Sequence, residues 1–149
     1  MKQHWTGNFK RKPKEDRTSA DGIVHSSVSQ MARWNELRLL QQGGHIRNLK
    51  REVTFPFVIK GQPGEDDRPV RTAGGKQIMK YIADFVYERK TMTPDGAQWS
   101  EVIEEHKGFM AEDAILKLRF FEALYDKRVF IHTERGKSKY RRDTMDTLL

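Results

Sequence analysis

The sequence predicts an α/β sandwich, a mixed sheet between helices in the order helix, strand, strand, strand, helix, strand. Three observations carry this. Ser27 to Gln42 and Ala111 to Asp126 have apolar residues at helical spacing. Between them, two runs rich in aromatic and β-branched residues flank Thr93-Pro94-Asp95-Gly96, where Pro fixes φ, Gly tolerates φ > 0, and a hairpin follows. Val129-Phe130-Ile131-His132 then supplies a strand after the second helix. With 149 residues the chain is long enough for one core over a sheet.

Taken in order, residues 1 to about 20 hold Lys2, Lys10, Arg11, Lys12, Lys14 and Arg17 with few apolar residues, so a mobile basic arm is expected. A domain over 21–133 and a basic tail over 134–149 follow. Ser27 and Gln30 fit a capping box, and Gly43-Gly44 ends the first helix. Along it Val28, Met31, Trp34, Leu37 and Leu40 form an apolar stripe, with Arg33, Glu36 and Arg38 on polar faces. Glu52 to Lys60 reads as a strand interrupted by Pro56, which suits an edge or a bulge. The acidic loop from Gly61 to Pro69 lacks EF-hand spacing and reads as a solvated hairpin loop. Gly74-Gly75-Lys76 is no phosphate loop, because Val70 stands at the first glycine position and no hydroxyl residue follows the lysine. Tyr81 to Tyr87 and Trp99 to Gly108 are the arms of the central hairpin, and Tyr81 and Tyr87 read as core aromatics.

A net charge of +7 with 33% charged residues favours a polyanionic partner, nucleic acid before an acidic membrane surface. Zero cysteines exclude disulfides, thiolate zinc and thiol nucleophiles, so a metal would need oxygen or imidazole ligands. No apolar run reaches bilayer length, and Met1 to Trp5 lacks a signal's apolar segment; a cytoplasmic protein is expected.

A turn centred on Pro94-Asp95 sets Asp84 opposite Glu105, with Lys107 on the same face two residues along. Facing carboxylates repel, and a divalent cation is the usual compensation. An acid facing Glu-x-Lys is equally the pattern of salt-bridged strands, and the residues alone leave both readings open. Glu104 and His106 alternate to the other face and read as structural; His25, His45 and His132 lack metal-binding helical spacing.

With its order of elements and its charge, this hairpin resembles the PD-(D/E)XK nuclease superfamily. The nearest likeness is to a small phage and prophage family of proteins of unknown function, described as endonuclease- or Holliday-junction-resolvase-like. The matching stretches are Asp21-Gly22-Ile23, Ser27, Arg33 to Leu40, Ile46, Leu49, Tyr81 to Tyr87, Glu104 to Gly108 and Leu116 to Phe121, covering residues 20 to 132. The resemblance implies a restriction-endonuclease-like core. It makes Asp84 and Glu105 ligands of Mg²⁺ or Mn²⁺, with the backbone carbonyl of His106 as a third, and makes Lys107 the residue that positions or activates the attacking water.

Gln30 stands where that family's first helix carries a glutamate; its amide can orient a water but brings no charge. Glu36 is no substitute, since six residues turn a helix by about 240°, and it reads as a surface or salt-bridged residue. Ala83 replaces the proline of the superfamily's name. Lys117 and Arg119 match basic positions after the lysine motif and, with Arg33, Lys10, Arg11, Lys12, Lys137 and Arg141, are the candidate nucleic-acid contacts. The implied function is a metal-dependent endodeoxyribonuclease for branched or otherwise structured DNA in phage recombination, replication or packaging, with branched or duplex DNA as partner, within a phage-infected or prophage-carrying bacterial host, and the resemblance admits a homodimer. The other class of function is a non-catalytic nucleic-acid-binding module that keeps the fold.

Overall fold

The computed structural model describes residues 11–106 and 112–132. Lys10, Lys107, Lys137 and Arg141, all expected at the site or on nucleic acid, lie outside the described residues. The chain forms two compact units, Met1–Leu39 and Leu40–Leu149.

In the first unit, the stretch expected to be a structureless arm is ordered from Lys14 onward. A 3₁₀ turn at Glu15–Arg17 leads into a narrow loop closed by a Thr18–Val24 bridge and by the Ser19 N–H on the Ile23 carbonyl at 2.8 Å. Arg17 causes this. Its guanidinium is buried and donates to the carbonyls of Lys12 and His25, so one cation ties three chain segments together.

Helix α1, Val28–Gln42, starts as its capping residues require. Ser27 Oγ accepts the Gln30 N–H at 3.1 Å, while Gln30 Oε1 reaches back to the Ser26 N–H at 3.1 Å and to the Ser26 hydroxyl. The helix ends in a Schellman motif, with Gly44 at φ 73° and the His45 N–H on the Leu40 carbonyl. The buried stripe is turned from the expected one: Gln30, Arg33, Trp34 and Leu37 are buried and Val28 is exposed. Two polar residues can occupy that stripe because each brings a partner, Gln30 through the cap and Arg33 through Glu36 at 2.7 Å. Glu36 is salt-bridged and exposed, as the sequence suggests.

The second unit is built on a four-stranded sheet of order β1-β4-β5-β6, formed by β1 (Ile46–Pro56), β4 (Lys80–Thr93), β5 (Gly96–His106) and β6 (Val129–His132). The first three run antiparallel, and β5–β6 is parallel through the crossover helix α2 (Glu112–Tyr125), so the sheet is mixed, as expected. β1 is indeed an outer strand, ends at Pro56 and carries a bulge between Arg47 and Lys50. It begins six positions before the expected Glu52, because Ile46 to Arg51 is too polar to read as a strand.

Between β1 and β4 lies an element absent from the expected order. β2 (Val58–Ile59) and β3 (Arg68–Pro69) pair as a short ribbon, and Arg71 bridges Gln77 across a turn closed by the Gly75 N–H on the Thr72 carbonyl. The loop over 60–67 is the expected hairpin loop, tied by Lys60–Asp67 at 2.9 Å. Glycine is required at Gly61, where a Cβ would stand 2.5 Å from the Glu65 carbonyl oxygen.

Helix α2 opens with Glu112 and Asp113, whose charges suit its N-terminal dipole. It buries Leu118 and Phe121 against Phe57, Tyr81, Ala83, Val86, Ile103, Val129 and Ile131. Phe121 is the hub, with ring centroids 4.6 Å from Tyr81, 4.9 Å from Phe55 and 5.1 Å from Tyr125. Burial of one such ring stabilises by about 2–3 kcal/mol.

Candidate functional site

The β4–β5 register is the one that a turn centred on Pro94-Asp95 requires. Pairs run from Thr93 with Gly96 to Phe85 with Glu104, and the next step in that register sets Asp84 against Glu105. The ladder itself ends at Phe85 and Glu104. The Asp84 carboxylate accepts the His106 backbone N–H at 2.7 Å, so a side chain takes up a main-chain donor at the end of β5.

Glu105 lies two residues beyond Ile103 and so shares the face that packs on α2. It is only 4% exposed, and its Oε2 accepts the hydroxyl of Tyr81 at 2.9 Å. That hydroxyl is pushed far above the ordinary phenol range, by burial first, then by the charge and hydrogen bond of Glu105, and then by the charges of Asp84 and Glu122. It is therefore a permanent donor, and three carboxylates act on one ring. Glu122 also caps the start of β6, accepting the Val129 N–H at 3.1 Å.

Beside Glu105 a cavity of about 250 Å³ is lined by Lys80, Tyr81, Ile82, Glu105, Asp113, Ala114, Lys117 and Leu118. Two carboxylates and two ammonium groups on an open-mouthed cavity can hold a ligand carrying both an anionic group and a bound cation. Lys117, expected on nucleic acid, thus shares a cavity with Glu105, expected on metal. Arg119 is exposed two positions further along α2 and is not among the lining residues.

The remaining expectations divide. His106 is buried and stacks on His132 with centroids 5.0 Å apart, in agreement with a packed side chain; its carbonyl belongs to the last described residue before 107. Glu104, fully buried, accepts the Tyr87 hydroxyl at 3.0 Å, the structural role expected of it. Arg33, expected on nucleic acid, is 7% exposed and paired with Glu36 at 2.7 Å. Arg11 and Lys12 are exposed, with Arg11 Nε on the Ser26 carbonyl at 3.3 Å. Gln30 uses its amide oxygen in the helix cap, which competes with the water-orienting role expected of it.

Three features were not read from the sequence. Tyr81 reads as a core aromatic that could touch a phosphate, and the only signal for its hold on Glu105 was an amphipathic ring on the strand that carries Asp84. Lys80, at the start of β4, had no motif to mark it. In the first unit, the Asp21 carboxylate accepts from Ser19 Oγ, Trp34 Nε1 at 3.0 Å and Arg38 at 2.5 Å. Partial desolvation pushes Asp21 up, but these donors outweigh it and hold its pKa at about 2.

Asp84 and Glu105 are oxygen donors each held by one of the chain's own groups, the His106 N–H and the Tyr81 hydroxyl; Mg²⁺ and Mn²⁺ commonly take one or two carboxylates and fill the remainder with water and phosphate oxygens. Among the described residues no group of three or more His, Asp or Glu is arranged to hold a metal alone. Nor is any described helix long and apolar enough to cross a membrane. Comparison with protein-family models, curated proteins and solved structures returns no match for the chain.

Proposed function

We propose that the chain is a Mg²⁺- or Mn²⁺-dependent phosphodiesterase that cleaves DNA. The observation that carries this reading is Glu105, which lines one cavity with Lys80 and Lys117 and follows the Phe85–Glu104 pair, so that the register continued by one step faces it with Asp84. Asp84 and Glu105 would hold the cation, which supplies polarisation of the phosphate and a bound water of lowered pKa. The chain's own residues do the rest. Tyr81 and the His106 N–H keep the two carboxylates in one orientation. Lys80 and Lys117 draw a phosphodiester to the cavity mouth and offset the charge that develops on its oxygens. Lys107, from the resemblance, positions the attacking water.

A restriction-endonuclease-like core, branched DNA as substrate, a role in phage recombination, a bacterial cytoplasmic setting and a homodimer are the narrower form of this proposal, and they rest on the resemblance. Purified protein with Mn²⁺ is expected to cut DNA. Asp84→Ala, Glu105→Ala and Lys107→Ala should each abolish cutting while DNA binding persists. Undiminished nicking by all three variants would sink the mechanism, and a panel of single-stranded, duplex, flap and four-way-junction DNA tests the narrower form.

A non-catalytic nucleic-acid-binding module is the second reading. Its support is that Asp84, Glu105 and Gln30 all accept hydrogen bonds from the chain's own groups. Calorimetric Mn²⁺ binding that vanishes in Asp84→Ala and Glu105→Ala favours the enzyme, and its absence from the wild type favours the module.

A further inference from the structure

Among the described residues, the insertion between β1 and β4 gives the core Phe57 and Val58, with Val70 and Met79 partly buried. Its charge is uneven. The acids of the region, Glu65, Asp66 and Asp67, sit in the first loop, and Asp67 is engaged by Lys60. From Arg68 to Lys80 there are four cations and no acid, and Arg68, Arg71, Lys76 and Lys80 are all exposed. The second turn, Thr72-Ala73-Gly74-Gly75, carries only small side chains. A Cβ at Gly75 would meet nothing within 4 Å, and the Arg71 guanidinium braces the turn through the Gly75 carbonyl at 2.8 Å. Ile59 and Ile78, each 53% exposed, are large apolar side chains left in solvent beside these cations. The stretch ends at Lys80, which already lines the cavity with Glu105.

We propose that the Arg68–Lys80 ribbon is a nucleic-acid-gripping element that holds the phosphate backbone and delivers it to the Glu105 cavity. The chemistry on the page fits this partner. Exposed cations with no acid among them attract a polyanion and release its counterions. A narrow braced turn of small residues can approach a groove closely, and apolar side chains beside it are suited to sugar and base edges. Arg71 uses one N–H on Gly75 and retains four of its five donors for phosphate. The proposal rests on the nucleic-acid part of the functional reading and is independent of hydrolysis.

The test is fluorescence anisotropy of a labelled duplex with metal-free protein over a salt series. The double variant Arg68→Ser/Lys76→Ser is compared with a charge-matched control, Lys50→Ser/Lys90→Ser, on exposed strand positions away from the ribbon. The ribbon variant should bind about tenfold or more weakly, with a salt slope shallower by about 2, as loss of two phosphate contacts requires. The control should keep the wild-type slope. Hydrogen exchange over 70–79 should also slow when duplex is added.

Equal losses in both variants, or none in the ribbon variant, overturn the proposal. Wild-type protein that binds neither duplex nor single strand overturns it together with the functional reading. Binding through the ribbon with no cutting under Mn²⁺ supports the ribbon and removes only the hydrolase.

Discussion

Tyr81→Phe removes a single oxygen atom and leaves the ring that packs on Phe121 at 4.6 Å. The lost oxygen stands 2.9 Å from a carboxylate that is 4% exposed and so has little water to turn to. A hydrogen bond to a charged group contributes about 1.5–3 kcal/mol, and with the ring retained the expected loss of stability is about 2 kcal/mol, read from urea unfolding without metal. A double-mutant cycle with Glu105→Met, close in shape but without an acceptor, should return a coupling of at least about 1 kcal/mol, because the phenol then has no partner to lose. If the hydroxyl also orients Glu105 toward a cation, calorimetric Mn²⁺ affinity should fall about tenfold in Tyr81→Phe, as when a ligand's supporting hydrogen bond is removed. A coupling below about 0.5 kcal/mol, within ordinary additivity, together with unchanged Mn²⁺ affinity, would refute the role assigned to Tyr81.

Two further outcomes follow from the fold. Asp21 has a folded pKa of about 2 against an ordinary 3.8, so its contribution is present above pH 4 and is lost as pH falls through 2. Unscreened, that shift is worth about 2.4 kcal/mol, and screening at this solvent-facing group leaves about 1 kcal/mol. Asp21→Asn should therefore be less stable near neutrality, with the gap closing below pH 4 in acid titrations of unfolding; a gap independent of pH would show that the charge is not what matters. Gly61→Ala drives a Cβ to 2.5 Å from the Glu65 carbonyl and 2.8 Å from that of Asp66. Such overpacking costs about 1–3 kcal/mol, visible as a lower Tm, whereas an unchanged melt would mean the loop relaxes freely.

What the sequence disclosed depended on how local the controlling physics is. The β4–β5 register was legible because two residues, Pro94 and Asp95, fix it and every later pair follows by counting. The ends of α1 were legible for the same reason, since Ser27 and Gly44 act on backbone groups a few residues away. The buried face of α1 was not, because Gln30 and Arg33 owe their places to partners rather than to hydrophobicity. Before α1, Asp21 to His25 reads as a short entry turn or strand, whereas the 3₁₀ turn at Glu15–Arg17 had no local signal, because it is held by one buried arginine that reads as a tail charge. Counting sets Asp84 opposite Glu105, one step past the Phe85–Glu104 pair. Asp113 and Lys117 join Glu105 only once α2 folds back over the sheet, a long-range event that no local pattern announces.

The bulge in β1 has a consequence for how copies of the chain meet. Asn48 and Glu52 take φ of 55° and 51°, values that break the flat run of donors and acceptors a neighbouring strand would need. Arg47, Lys50 and Arg51 add like charge along the same strand, and Pro56 ends it. β1 is therefore a poor template for growth into a continuous intermolecular sheet, so self-association of this protein along that strand has to be made by side chains rather than by main-chain pairing.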